Sequence, residues 1–186
     1  MPFRTIFLTL ACVAGLVAGP EDPARQTTRG TVGPVAFQTF AAGTYFYLGA
    51  RATRTELPAL TPALVKRLSA IQRAAGLQAW GPLLMIQRGA GDDPAKPFDL
   101  EVGSLVPAGT LPFGEAKVRL LAAFPCATTV ASGDFSGEVA KAAFLALFKA
   151  AGKQGRTPTG ESRELVLFWE GEGSANNLLQ VQIGLQ

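Results

Sequence analysis

The chain has 186 residues, of which 48% are hydrophobic and 17% are charged, so it can build an apolar core and is not a predominantly disordered protein. It contains no histidine and only two cysteines, which excludes Ser-His-Asp and Cys-His catalysis, histidine-ligated zinc or haem, thiolate zinc sites and iron–sulfur clusters. The formal charge of +3 comes from scattered basic residues, so composition does not indicate nucleic-acid binding.

The N-terminus has the pattern of a signal peptide. A single positive charge at Arg4 precedes a continuous apolar run over residues 6–18, and polarity changes abruptly at residues 19–23. The run is shorter than the roughly 20 residues that span a bilayer. We therefore expect a signal peptide over residues 1–18, a linker over residues 19–33 and a secreted or periplasmic protein. An uncleaved membrane anchor and a buried strand or helix stay open as alternatives.

Cleavage after residue 18 would also remove Cys12, and Cys126 would then have no partner for an internal disulfide. The neighbours of Cys126 are apolar, which is typical of a buried cysteine that acts as a small hydrophobic residue.

The rest of the chain predicts one order of elements twice: strand, helix, strand, strand. The first half, residues 34–108, predicts a strand over 35–50 that is interrupted at 42–43, a helix between Thr61 and Gly76, and strands over 81–87 and 98–106. The second half, residues 116–186, predicts a strand over 117–132 that is broken at Pro125, a helix over 137–151, and strands over 163–170 and 178–185. This pattern predicts an α+β fold in which both helices pack on one antiparallel sheet.

Caps and apolar spacing define the two predicted helices. Thr61 is a suitable N-cap and Pro62 suits the first helical position, while Leu64 and Leu68 lie on one apolar face. The predicted buried stripe of the second helix consists of Ala140, Phe144, Leu147 and Ala151.

Several short segments carry a family resemblance. Residues 97–103 (PFDLEVG) are similar to a strand motif FDLEVG, residues 132–135 (SGDF) to a turn RGPY, and residues 158–164 to a segment P-x-G-x-x-RE. In this order and spacing, residues 34–186 resemble the GyrI-like, or effector-binding, small-molecule-binding domain. The resemblance implies two strand-helix-strand-strand modules about a pseudo-two-fold axis, with a groove between them for a small organic ligand.

The sequence also departs from that family. Gln180 and Gly184 stand where a glutamate and a later proline are common, and Val166 stands where a tyrosine is common. In relatives that bind cationic drugs or hydrolyse electrophilic compounds, a pocket glutamate and aromatic residues do the work. The departures therefore weaken both interpretations. No helix-turn-helix is recognised, and with an export signal we expect no nucleic-acid partner.

Glu101 is the leading candidate for ligand contact. Alternation along its strand places it on one face with Asp99 and Gly103, opposite Phe98 and Leu100. Two positions stay open for this carboxylate: inside the groove, where it needs a cation, a donor or a proton, or solvated on the outer face of the sheet.

Tyr45 and Tyr47 share one strand face and predict either a flat ligand-binding wall or part of the core that faces the helices. Gln180 corresponds to Glu101 in the repeat, so a two-fold axis would bring the two to matching places around one groove. The other candidate ligand contacts are Trp80, Glu164 and Phe168. For the aromatic residues the alternative is a core position, and for Glu164 it is an ion pair at a strand edge.

These observations predict an exported protein that binds a small organic molecule and uses neither a cofactor nor a metal. Contact with a membrane is expected only through the N-terminal segment, if that segment is uncleaved. A metal-free hydrolase that uses Glu101 to activate water is one alternative, so an enzymatic activity stays open. The other is a structural or interaction module whose groove is filled by its own side chains.

Overall fold

A computed structural model describes residues 25–27, 30–91, 93–134, 137–171 and 173–186; the side chains of residues 25–27, 80 and 137 are outside that description. The described residues form ten strands and two helices. The strands are β1 (Arg25–Thr27), β2 (Gly30–Val32), β3 (Ala36–Phe40), β4 (Gly43–Ala52), β5 (Trp80–Arg88), β6 (Phe98–Val106), β7 (Lys117–Leu121), β8 (Phe124–Gly133), β9 (Pro158–Phe168) and β10 (Leu178–Leu185). The helices are α1 (Leu57–Ala74) and α2 (Gly137–Lys153).

The sheet confirms the predicted fold class and its internal repeat. The first module is β4-α1-β5-β6 and the second is β8-α2-β9-β10. Their strands lie in the order β8-β10-β9-β5-β6-β4, and the strand pairs of the described residues are antiparallel. The modules meet where β5 pairs with β9. Met85 and Glu164 are direct partners at that junction, one from each module.

Two long strands tie the modules together. β3 runs almost directly into β4 but pairs with β8 of the second module, while β7 runs into β8 but pairs with β4 of the first. The first break lies at residues 41–42, close to the predicted site. The second lies at residues 122–123 rather than at Pro125, because Pro125 is accommodated within β8 opposite Thr39.

The start of α1 differs from the prediction. The helix begins at Leu57 with Pro58 in its first turn, so Pro62 lies inside the helix and Thr61 is not its N-cap. Pro58 suits the first turn because the N–H it lacks has no partner within the helix there. The preceding Glu56 accepts a hydrogen bond from the backbone N–H of Thr53 at 2.7 Å, which closes the turn before the helix.

The buried stripe of α2 is also shifted from the predicted one. Leu147 and Ala151 are buried as expected, together with Val139 and Ala143. Ala140 and Phe144 are only partly buried, and both line a cleft described below. The apolar surface of this helix is therefore wider than its core stripe.

Each helix covers one outer part of the sheet. α1 packs on β4 and β6, where its buried Leu64 and Leu68 join a core with Phe46 and Val102. α2 packs on β8 and β10. The opposite face of the sheet carries a smaller core cluster that contains Tyr45, Leu84, Ile86 and Leu121.

The predicted signal peptide over residues 1–18 lies outside the described residues and stays a prediction. Within the segment expected to be a linker, β1 and β2 pair with each other, and β2 continues onto β8. These short strands extend the sheet beyond β8, so residues 25–27 and 30–32 belong to the fold.

Gly103 on β6 provides a test of the packing on the face away from the helices. A Cβ at this position would stand 2.5 Å from the Tyr45 ring and would collide with the carbonyl oxygen of Phe46. We expect Gly103→Ala to lower the free energy of unfolding by about 2 kcal/mol, as overpacking does. In the control Gly49→Ala, on the paired strand, the nearest atom lies at 3.8 Å. Urea denaturation that shows equal stability for both variants would contradict this packing.

Candidate functional site

A cleft of about 740 Å³ opens between the two helices over the middle of the sheet. α1 and α2 pack on the outer strands, so the central pair β5 and β9 forms the floor. The apolar lining comes from both helices and from four strands: Leu57, Pro58, Met85, Leu100, Ala140, Phe144, Leu145, Phe148, Val166, Leu179 and Ile183.

Glu164 places a carboxylate on this floor, beside its strand partner Met85. Gln87 Nε2 donates a hydrogen bond to Glu164 Oε1 at 2.7 Å. Burial raises the pKa of Glu164 to about 7, against the smaller opposing effects of Arg54 and of the Gln87 hydrogen bond. Among the ion pairs of the described residues, none includes Glu164. Near neutral pH this carboxyl group can therefore hold a proton or accept a cation or hydrogen-bond donor.

The lining of the cleft also contains charged side chains and exposed apolar ones. Arg54 and Lys141 contribute positive charge to the lining, while Leu145 and Phe148 are apolar and about half exposed. Arg54 Nε donates to the carbonyl oxygen of Gly91 at 3.0 Å, which holds this guanidinium group against the loop after β5. A cleft with apolar walls and a few polar groups is typical of small-molecule binding sites.

Glu101 does not lie in this cleft. Its Oε1 accepts from Arg88 Nη1 at 2.9 Å and its Oε2 accepts from Arg119 Nη2 at 2.7 Å. The side chain is 13% exposed, so the carboxylate is not solvated on an outer face either. The helices cover the side of β6 that carries Leu100 and Val102. Glu101 points to the other side, where the guanidinium groups of Arg88 and Arg119 bind its carboxylate.

Tyr45 and Tyr47 lie on the same side as Glu101. Their rings stack with centroids 5.1 Å apart and an interplanar angle of 4°. Tyr45 is fully buried, and its hydroxyl donates to the carbonyl oxygen of Leu84 at 2.8 Å. Burial raises the pKa of Tyr45 well above its usual range, so the hydroxyl stays protonated. Tyr45 therefore belongs to a core, but to the one on the face away from the helices rather than to the helix-facing core that the sequence left open.

Gln180 occupies the position equivalent to Glu101, as the repeat predicted. Glu101 pairs with Gly49 on β4, and Gln180 pairs with Val130 on β8, the matching strand. Its side-chain amide donates to Thr128 Oγ1 at 3.1 Å, on the face away from the helices. The two residues are thus related by the pseudo-two-fold axis, but neither belongs to the lining of the cleft between the helices.

Of the described side chains among the predicted contacts, Glu164 alone lines the cleft. Phe168 lies at the end of β9 and is 49% exposed. Trp80 is the first residue of β5, and its side chain lies outside the described part of the chain.

Sequence reasoning missed the residues that form the walls and floor around Glu164. Phe144 was assigned to the core, and Leu145 and Phe148 were not assigned at all. An apolar arc on α2 broader than one buried stripe was the available signal. Nothing in the local sequence distinguishes Gln87 from any other polar strand residue.

The described residues contain no group of three or more histidine, cysteine, aspartate or glutamate side chains arranged to hold a metal ion. Neither described helix combines the length and the apolar character needed to cross a bilayer. Cys126 is buried as predicted, and burial raises the pKa of its thiol to about 11.

No family model and no curated protein matches the sequence. Solved structures do match the fold. The crystal structure of the EcmrR C-terminal domain has a TM-score of 0.68 at 15% identity, over 83% of this chain and 98% of that one. The structure of SAV2435 bound to tetraphenylphosphonium has a TM-score of 0.59 at 10% identity, over 82% and 94%. A hydrolase from Listeria innocua has a TM-score of 0.55 at 10% identity, over 82% and 91%.

The chain therefore has the fold of GyrI-like effector-binding domains, as its motifs predicted. Identities of 10–15% show the fold alone. In its DNA complex, EcmrR is a longer chain, of which the present one covers 57%, with a TM-score of 0.65. The expectation that this protein binds no nucleic acid stays a prediction.

Proposed function

We propose that the cleft between α1 and α2 binds a small, mostly apolar organic molecule that carries one positive charge, with Glu164 as its anchor. The observation that carries this proposal is a carboxylate on the floor of an apolar cleft, without an ion-pair partner among the described residues. The ligand class remains the small organic molecule expected from the sequence. Gln180 stands where a glutamate is common in the family that the sequence resembles. In this proposal Glu164 supplies the pocket carboxylate instead.

The electrostatics favour a cation over a neutral ligand. Burial of an ionised carboxylate is costly, and the raised pKa of Glu164 expresses that cost. A cation held against the carboxylate would offset it, and the apolar walls would contribute the hydrophobic part of the binding energy. Arg54 and Lys141 in the lining add positive charge, so they favour a ligand with a single positive charge over one with several.

The structural neighbours support this ligand class. Tetraphenylphosphonium, which is bound in the structure of SAV2435, is an apolar ion with one positive charge. It is therefore a suitable first probe for the present chain. It carries no titratable group, so any pH dependence of its binding belongs to the protein.

We expect tetraphenylphosphonium to bind about tenfold more tightly at pH 8 than at pH 6. With a pKa of about 7, Glu164 is ionised in about one-tenth of the molecules at pH 6 and in about nine-tenths at pH 8. The cation competes with the proton, so its affinity rises with pH. Isothermal titration at the two pH values measures the ratio.

Glu164→Gln should remove this pH dependence and weaken binding at pH 8 by well over tenfold, because a neutral amide replaces the charge. The matched control is Glu115→Gln, which removes a carboxylate that is paired with Arg67 at the surface. Neutral triphenylphosphine oxide, whose oxygen can accept a hydrogen bond only from the protonated carboxyl group, should not bind more tightly at pH 8 than at pH 6. If Glu164→Gln bound the cation as tightly as the wild type at pH 8, Glu164 would not be the anchor.

A hydrolase acting on small electrophilic compounds remains the second candidate, and one observation favours it. A carboxyl group with a pKa of about 7 suits a general base at neutral pH. This role moves from Glu101, which two arginines hold, to Glu164. Product that accumulates with the wild type but not with Glu164→Gln would establish hydrolase activity. Intact compound recovered with both proteins would exclude hydrolysis of that compound and support the binding function.

We also propose that the protein acts outside the cytoplasm, on the strength of the apolar run over residues 6–18 and the polar segment that follows it. Protein recovered from an exporting host should lack about the first 18 residues, because a signal peptidase removes the leader. Intact-mass spectrometry decides this. Full-length protein confined to the cytosol would contradict export.

A further inference from the structure

A second cavity, of about 550 Å³, lies on the other face of the sheet. Three arginines contribute to its lining: Arg88 from β5, Arg119 from β7 and Arg163 from β9. Apolar walls come from residues around the break between β7 and β8, including Phe124 and Pro125. The two cavities share Gly160 and Glu161 in their linings, but Glu164 lines only the cleft between the helices.

Five charged side chains of this face form one continuous chain. Glu101 bridges Arg119 and Arg88, with N–O distances of 2.7 and 2.9 Å. Glu161 bridges Arg88 and Arg163, each at 2.8 Å. Three cations thus share two carboxylates, and the network carries an excess of one positive charge. A network that served only to hold the sheet together would be expected to balance its charges when partly buried.

Two further observations fit a network whose excess charge is balanced by no carboxylate among the described residues, although the Arg119 guanidinium carbon also lies 5.8 and 5.6 Å from the centres of the Tyr45 and Tyr47 rings. Arg119 Nε is buried and has no hydrogen-bond acceptor among the described residues. Arg163, whose side chain is only 9% exposed, has its pKa lowered by burial first and then by repulsion from Arg119 and Arg88, although Glu161 opposes the shift. Its guanidinium carbon lies 3.6 Å from the centre of the Phe124 ring, which fixes its position beside the apolar wall.

We propose that this arginine-lined cavity is a second ligand site, which binds a small organic molecule that carries one oxyanion group, either a carboxylate or a phosphate. Guanidinium groups bind both oxyanions through paired N–H donors. One negative charge would balance the network. The volume exceeds that of a bare ion, and the walls at Phe124 and Pro125 suit an apolar body.

Benzoate and phenyl phosphate, titrated calorimetrically at fixed ionic strength, are the probes, with neutral benzamide and inorganic phosphate as comparisons. We expect at least one of the two probes to bind saturably and more tightly than inorganic phosphate and benzamide. Absence of saturable binding of both probes up to about 10 mM would overturn the proposal. Inorganic phosphate binding as tightly as phenyl phosphate and benzoate would overturn the assignment of an organic ligand.

Two variants that change the charge of the network in opposite directions distinguish a ligand-binding role from a structural one. Arg119→Gln should weaken the probe at least tenfold. Glu101→Gln, which raises the excess charge and frees donors of two arginines, should tighten binding severalfold. The control Arg67→Gln removes an exposed arginine of α1 that pairs with Glu115, and it should bind as the wild type does.

The Glu101→Gln result keeps the proposal testable if Arg119→Gln does not fold, because a loss of structure cannot increase affinity for the probe. Unchanged affinity in a folded Arg119→Gln, or weaker binding in Glu101→Gln, would contradict the site. Glu164→Gln should leave benzoate and phenyl phosphate binding unchanged, so this test does not depend on the cleft between the helices.

Discussion

The antiparallel pairing of β5 with β9 is the contact on which the arrangement of both cavities depends. It joins two modules that each bring their own helix, and each helix packs on the outer strands of its module. The central pair is therefore left without a helix above it. A cleft at this junction follows from the repeat itself, and the residues at the junction, Met85 and Glu164, determine its chemistry.

Alternation along β9 distributes polar groups to both faces of that junction. Glu164 points to the helix side, where apolar walls surround it and its pKa rises. Arg163 points to the other side, where it meets Glu161 and Phe124. Glu161 and Gly160 lie in the lining of both cavities, at the start of this strand. One central strand therefore supplies one face with a carboxylate that forms no ion pair within the described part of the chain, and the other face with part of an arginine network.

Much of the fold was predictable because its signals are local. Apolar alternation located β6 and β10 at the bounds that the structure shows, and the repeated order of elements predicted the two modules. The start of α1 was wrong because two prolines, Pro58 and Pro62, both suit a first helical turn, and only the contacts before Leu57 distinguish them. The position of Glu101 depends on which face the helices cover. Alternation shows that Glu101 lies opposite Leu100, but not that the cleft opens on the side of Leu100.

The central claim is that Glu164 is a partly buried carboxyl group whose proton a cationic ligand displaces. Carbon NMR of protein labelled at the glutamate side-chain carboxyl groups, with Glu164→Gln to assign the signal, measures this directly. The account predicts that Glu164 titrates with a pKa of about 7 in the free protein, and that saturation with tetraphenylphosphonium lowers this pKa. A pKa near the ordinary value of 4.5, unchanged by the cation, would contradict it.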